Sequence, residues 1–224
     1  MGGKGVGVFA PERLTTRMRD VMVDLETMGK RPGCPVLSIG AVFFDPQTGA
    51  LGPEMYEVVN YKSCLQLGLE ADAETEAWWA QQSEEARLVI DLAMVNKGDY
   101  SPKRKGGTGK QITAPPNVGI GRALDIFSEF VEPVGKREVR VWGNGSDFDN
   151  AILAHCFHAA KRELPWEFWN SRCFRTLKAL SAMKMERTGT YHNALDDAKT
   201  QALHAAKVFA ELAGKKAPKP RRGV

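Results

Sequence analysis

Asp24 and Glu26 are the first residues of this chain whose type and spacing could do chemistry. In the stretch from Arg19 to Gly29, Val21, Val23 and Leu25 alternate with Met22, Asp24 and Glu26. That period of two predicts a β-strand, with both carboxylates leaving the same face. Two acids side by side in a site shielded from water repel one another, and a divalent cation between them is the usual way to keep both ionised. An isolated Asp-x-Glu is more commonly the solvent face of a strand. The reading therefore depends on what the rest of the chain supplies.

A second cluster is Trp142-Gly-Asn-Gly-Ser-Asp-Phe-Asp-Asn150. Its glycines permit a tight turn from strand into helix, where backbone N–H groups can meet a phosphate. Asp147 and Asp149 sit at that helix start, and Asp147 has the position of a capping acid. The turn matches neither the dinucleotide-binding nor the Walker pattern. A third cluster, Tyr191-His-Asn-Ala-Leu-Asp-Asp-Ala198, puts His192 at a helix entrance with Asp196 and Asp197 in the first turns. Spacing alone does not choose Asp149 over Asp147, or Asp197 over Asp196. Four acids and a neutral imidazole converging from strands and helices describe a two-metal phosphodiesterase site.

The motifs together resemble the DEDDh 3′→5′ exonucleases. The match runs through Asp24-Leu-Glu26-Thr, Phe148-Asp149-Asn and His192-Asn-Ala-Leu-Asp-Asp197-Ala, covering about Val21 to Ala210. Within that family the chain looks closest to phage-type exodeoxyribonuclease VIII-like enzymes and to a related bacterial exoribonuclease group. Asp24-Leu-Glu-Thr-Met-Gly-Lys30, Ser38 to Pro46, the Trp78-Trp79 pair and Trp142-Gly-Asn-Gly carry that likeness. The resemblance implies that Asp24, Glu26, Asp149 and Asp197 bind two divalent ions, Mg²⁺ or Mn²⁺, and that His192 is the general base toward the attacking water. Its implied products are nucleoside 5′-monophosphates. DNA is the first expected substrate and RNA the alternative, because nothing in the motifs reports on a 2′-hydroxyl. Single strands or the 3′ ends of duplexes are the expected partners. Leu25, Thr27, Met28, Trp78, Asn144 and Asn150 are the expected substrate contacts; of the adjacent tryptophans Trp78 and Trp79, at least one should be core. A non-catalytic nucleic-acid-binding module would lack one of the five central residues, and all five are present.

The elements that must position these groups read as an α/β fold. Strands are expected from Pro35 to Phe44 and from Glu54 to Tyr61, which with the first strand make an antiparallel meander. Helices follow, one capped by Thr75 and one running from Ser83 to about Val95. Gly121–Val131 reads as a helix, Val139–Trp142 as a strand, and a helix begins near Ser146 or Asp147. An extended piece near Cys173, a helix over Thr176–Met185 and a last helix from Ala194 to Leu212 complete the order. This predicts a ribonuclease H-like mixed sheet, an antiparallel meander plus parallel strands, flanked by helices.

With 224 residues, one domain is expected over 19–213, after a loose lead-in over 1–18. A basic flexible insertion at 98–119 and a basic tail at 214–224 are expected appendages. The net charge of +4 falls to −1 without the tail's five basic residues, and to −4 without the insertion's net +3 as well. An acidic body with basic appendages suits a metal site acting on a polyanion. Cys34, Cys64, Cys156 and Cys173 form no Cys-x-x-Cys pair, so reduced thiols are expected, and His155, Cys156 and His158 lack the second ligand pair of a zinc site. No apolar run is long enough to cross a bilayer and no signal peptide is apparent, so a cytoplasmic protein without membrane contact is expected. The oligomeric state is left open, a homodimer included.

Overall fold

The computed structural model describes residues 18–95, 117–187 and 189–214. The alternation around Asp24 forms β1 (Asp20–Thr27), the centre of a five-stranded sheet. β2 (Val36–Phe44) is apolar along nearly its whole length and buried throughout. It pairs antiparallel with β1 on one side and with β3 (Leu51–Val58) on the other. β4 (Arg140–Gly143) and β5 (Ser171–Cys173) extend the sheet in parallel on the other side of β1, giving the order β3-β2-β1-β4-β5. The meander and the added parallel strands match the expected mixed sheet.

Seven α-helices are described: α1 (Tyr61–Gln66), α2 (Ala73–Trp79), α3 (Glu84–Met94), α4 (Ile120–Val131), α5 (Asp149–Ala159), α6 (Phe174–Lys178) and α7 (Ala194–Gly214). Val21, Val23 and Leu25 of β1 face a core completed by Leu124 and Phe127 of α4 and Ile152 and Phe157 of α5. Met22 on the opposite face packs with Val42, Phe44 and the Ala198, Ala202, Ala205 and Val208 stripe of α7. Small residues along α7 let it lie close on the face that bears Asp24 and Glu26. No described helix is long and apolar enough to cross a membrane.

Several boundaries differ from the sequence reading, each for a local reason. The third strand ends at Val58, and Tyr61 opens a short helix because the Asn60 side chain accepts from the Ser63 amide at 3.0 Å. Asp72, not Thr75, caps α2: its carboxylate accepts from the Glu74 amide, and the Thr75 hydroxyl donates to it. α5 begins at Asp149, after both Ser146 and Asp147, with Phe148 at the cap. The helix expected over Thr176–Met185 is instead Phe174–Lys178, capped by the Cys173 sulfur accepting from the Thr176 amide. Beyond it the Ser181 hydroxyl takes the Met183 amide at 3.0 Å and holds the chain out of helix. Most of the expected insertion lies outside the described residues, as do the lead-in up to 17 and the tail from 215. Asn117 to Gly119, counted within the insertion, are packed: the Asn117 amide donates to Leu92 and Val95 carbonyls, and Val118 bridges to Val59.

One glycine decides how close α7 comes to the acids. Gly40 of β2 pairs directly with Asp24 of β1, and a Cβ there would land on the Ala194 carbonyl and the Leu195 amide at the start of α7. Backbone atoms cannot yield as a flexible side-chain tip can. Gly40→Ala is therefore expected to push the first turn of α7 off the sheet, costing about 2–3 kcal/mol and separating Asp197 from Asp24. Thermal denaturation and Mn²⁺ affinity measured on the variant check this, and an unchanged Mn²⁺ affinity would contradict it.

Candidate active site

The site forms where the C-terminal end of β1 meets the starts of α5 and α7. Asp24 and Glu26 leave the α7 face of β1, as the alternation requires. Asp149 arrives from the start of α5. Its Oδ1 accepts the Leu25 amide at 3.1 Å and its Oδ2 accepts the Asn144 amide at 2.6 Å. Gly143 makes that approach possible, since a Cβ there would lie 2.9 Å from the Asp149 Cβ and 2.6 Å from Asn150 Oδ1. Asp147, its competitor in the sequence, is exposed.

Asn193 builds the entrance of α7, its Oδ1 accepting the Leu195 and Asp196 amides at 3.1 Å each. Asp196 then turns back to accept the Thr190 amide at 2.8 Å, which leaves Asp197 to face β1. One turn further, Gln201 donates from Nε2 to Asp24 Oδ1 at 2.6 Å. His192 precedes the helix with φ +58°, a left-handed backbone that costs a histidine on the order of 1–2 kcal/mol. Strain of this kind persists only where the surroundings impose it. Here Trp78 and Trp79 meet the imidazole edge-on, with ring centroids at 5.1 and 5.9 Å, and Trp79 is itself fixed by its Nε1 donating to the Thr27 carbonyl at 2.9 Å.

Ligand atoms of Glu26, His192 and Asp197 lie within 4.8 Å of one another. Among the described residues no other group of three such side chains comes together. The cleft around the acids has a volume of about 320 Å³ and opens to solvent. Of the expected substrate contacts, Leu25, Thr27 and Trp78 line this cleft, together with Gly29, Lys30, Thr75 and Phe148. Met28 does not: it is buried among Leu37, Val58 and Trp79. Asn150 is also buried, its amide donating to the Val141 carbonyl at 2.8 Å, so it braces β4 rather than facing the cleft. Asn144 contributes its backbone, the amide to Asp149 and the carbonyl to Arg175.

The electrostatics of the cluster are those of acids held together against their repulsion. Burial, then the charges of Asp149, Glu26 and Asp197, push the Asp24 carboxyl well above its ordinary range. Burial, then Asp197 and Asp149, raise Glu26 from 4.5 to about 8. Asp149 rises to about 6 through burial, although its two backbone donors pull the other way. Asp197 is raised by burial against the opposing pull of Arg187, and burial lowers His192, which favours the neutral imidazole. This donor set fits divalent cations: hard oxygen ligands, mutually repelling, need added positive charge to ionise together.

The stability of the metal-free protein should follow. Glu26 and Asp149 keep protons in the folded state that the unfolded chain has released, so their contribution is complete below about pH 4 and is lost as pH rises toward about 8. A divalent ion needs those protons gone, so its stabilisation grows over the same window. Thermal melts with and without Mn²⁺ at about pH 5 and about pH 8 should show the larger Mn²⁺ shift at the higher pH. An equal shift at both would contradict the assignment of the ligands.

The family model of the 3′–5′ exoribonuclease Rv2179c-like domain matches residues 19–209. A search of curated protein sequences finds no match. Among solved structures, the nuclease domain of 3′hExo, a DEDDh family member bound to rAMP, is similar at 10% identity and a TM-score of 0.55, covering 94% of this chain and 99% of that one. A full-length 3′-exonuclease is similar at 12% identity and a TM-score of 0.48, over 86% and 81% of the two chains. Exonuclease I of E. coli in complex with a dT13 oligonucleotide is similar at 10% identity and a TM-score of 0.48, over 84% of this chain and 40% of that one. The first of these likenesses identifies the mixed sheet as ribonuclease H-like.

Proposed function

The chain belongs to the family of 3′–5′ exoribonuclease Rv2179c-like domains and is a DEDDh 3′–5′ exonuclease; from that premise we propose that it releases nucleoside 5′-monophosphates from the 3′ ends of single-stranded RNA at the Asp24 cleft. The observation that carries the proposal is the convergence of Glu26, His192 and Asp197 within 4.8 Å, beside Asp24 and Asp149. Asp24, Glu26, Asp149 and Asp197 would hold two divalent cations, Mg²⁺ or Mn²⁺. When bound, these supply the positive charge that stabilises the attacked phosphate and the leaving 3′ oxygen.

The chain's own residues do the rest. His192, kept neutral by partial burial and held in place by Trp78 and Trp79, accepts the proton of the attacking water. Trp78 is 42% exposed and presents a ring at the rim, on which the terminal base can stack. Leu25 and Phe148 give the sugar and base an apolar wall, and Lys30, ion-paired with Glu74 at 3.1 Å, adds a positive charge to the lining that a phosphate can meet. The Trp79 bond to the Thr27 carbonyl keeps the strand end from moving under the substrate. A volume of about 320 Å³ suits one terminal nucleotide rather than a duplex.

The family's description favours RNA. DNA ends are the second reading, because the apolar walls at Leu25, Trp78 and Phe148 select neither sugar. Digestion of RNA and DNA oligonucleotides of one sequence, mixed in a single reaction with Mn²⁺, separates them. RNA is expected to be consumed with a kcat/KM about tenfold higher or more. DNA consumed equally or faster would overturn the RNA assignment.

A further inference from the structure

Arg187 is the one described cation whose charged end bonds a carboxylate of the cluster, its Nη1 donating to Asp197 Oδ1 at 2.7 Å. The Asp197 side chain is only 13% exposed, whereas that of Arg187 is 37% exposed, so the guanidinium reaches in from the rim. Its Cζ lies 4.7 Å from the centroid of the Tyr191 ring, itself 61% exposed. Its charge also opposes the upward shift of Glu26. The described residues from 181 to 193 contain neither helix nor strand, so no ladder of backbone bonds ties Arg187 to Asp197.

Asp197 has one carboxylate and two suitors. A guanidinium and a divalent ion on the same oxygen would be pressed together as like charges. A guanidinium that leaves Asp197 while stacked on Tyr191 stays at the mouth of the cleft, and its planar fork matches the oxygens of a phosphate. We infer that Arg187 is an exchangeable counter-cation: it holds Asp197 until a divalent ion takes that carboxylate, and then engages a phosphate of the nucleic-acid strand. This inference rests on the metal-dependent reading of the cleft above.

Calorimetric titration of Mn²⁺ into the unaltered full-length protein, Arg187→Gln, Arg187→Lys and Arg175→Gln, without nucleic acid, tests it. The charge of Arg175 likewise opposes the upward shift of a cluster acid, Asp149, but its guanidinium bonds the Asn144 carbonyl and no carboxylate. Arg187→Gln should bind Mn²⁺ about fivefold more tightly or better, with Arg187→Lys between it and the unaltered protein and Arg175→Gln changed by less than about twofold. Fluorescence titration of a single-stranded oligonucleotide with Ca²⁺ in place of Mn²⁺ should show the opposite sign, Arg187→Gln binding about tenfold more weakly. Circular dichroism and the less than twofold change in Arg175→Gln guard against a general structural loss. Equal Mn²⁺ affinity in Arg187→Gln and the unaltered protein, or an equal gain in both glutamine variants, overturns the role of Arg187 alone. Failure of the unaltered protein to bind Mn²⁺ overturns the metal-dependent reading with it.

Discussion

Asp24→Asn is expected to abolish cleavage while making the metal-free protein more stable. Asp24 accepts from Gln201 Nε2 at 2.6 Å, and an asparagine oxygen can accept the same bond. What the substitution removes is a carboxyl pushed well above its ordinary range by burial and by three neighbouring acids. The folded form of such a group holds its proton, so it weakens the fold progressively as pH rises above its unfolded value near 3.8. At about pH 8 the variant should therefore melt at a higher temperature than the unaltered protein. At about pH 4, where the unfolded carboxyl is itself largely protonated, the gain should disappear. Activity should fall by about 10⁴-fold or more, because an amide carries no charge to bind a cation. Loss of stability with retained cleavage would remove Asp24 from the site.

His192→Asn should separate proton transfer from metal binding. Asparagine tolerates the left-handed backbone that His192 adopts at φ +58°, so the entrance of α7 is kept while the imidazole is lost. The turnover number is expected to fall by about 10²–10⁴-fold, the usual worth of a positioned general base. Mn²⁺ affinity should change little. At saturating Mn²⁺ the unaltered protein should gain rate with pH through a value below the ordinary 6.5 of histidine, since burial lowers His192. The variant should lack that limb. A variant with full activity, or one with unchanged pH dependence, would exclude His192 as the base.

The strands that carry the site were readable because their alternation is local: Val21, Val23 and Leu25 against Asp24 and Glu26 need no knowledge of the fold. The choices between Asp147 and Asp149 and between Asp196 and Asp197 were not readable from spacing. They are set by backbone amides, those of Leu25 and Asn144 reaching Asp149 and that of Thr190 reaching Asp196, which come from distant or irregular segments. Gln201 had a signal that went unused, since it stands one helical turn after Asp197 and so shares its face. Gly40 had another: a glycine within an apolar strand marks a close backbone approach. Arg187 had none, because it lies in an irregular stretch with no periodicity to place it. The shortened α6 and the extra α1 depend on caps by Cys173 and Asn60, which hydrophobic periodicity does not register. Met28 and Asn150 follow cleft residues in sequence yet turn into the core, where Met28 packs with Trp79 and Asn150 holds the Val141 carbonyl.

The most direct measurement is digestion of a 5′-end-labelled single-stranded RNA by the unaltered protein, with Mn²⁺ or with EDTA, resolving both the shortened strands and the released nucleotides. The account predicts a ladder that shortens one residue at a time from the 3′ end, nucleoside 5′-monophosphates as the only small product, and no cleavage in EDTA. Nucleoside 3′-monophosphates, immediate release of the labelled terminal nucleotide, or undiminished cleavage in EDTA would contradict it.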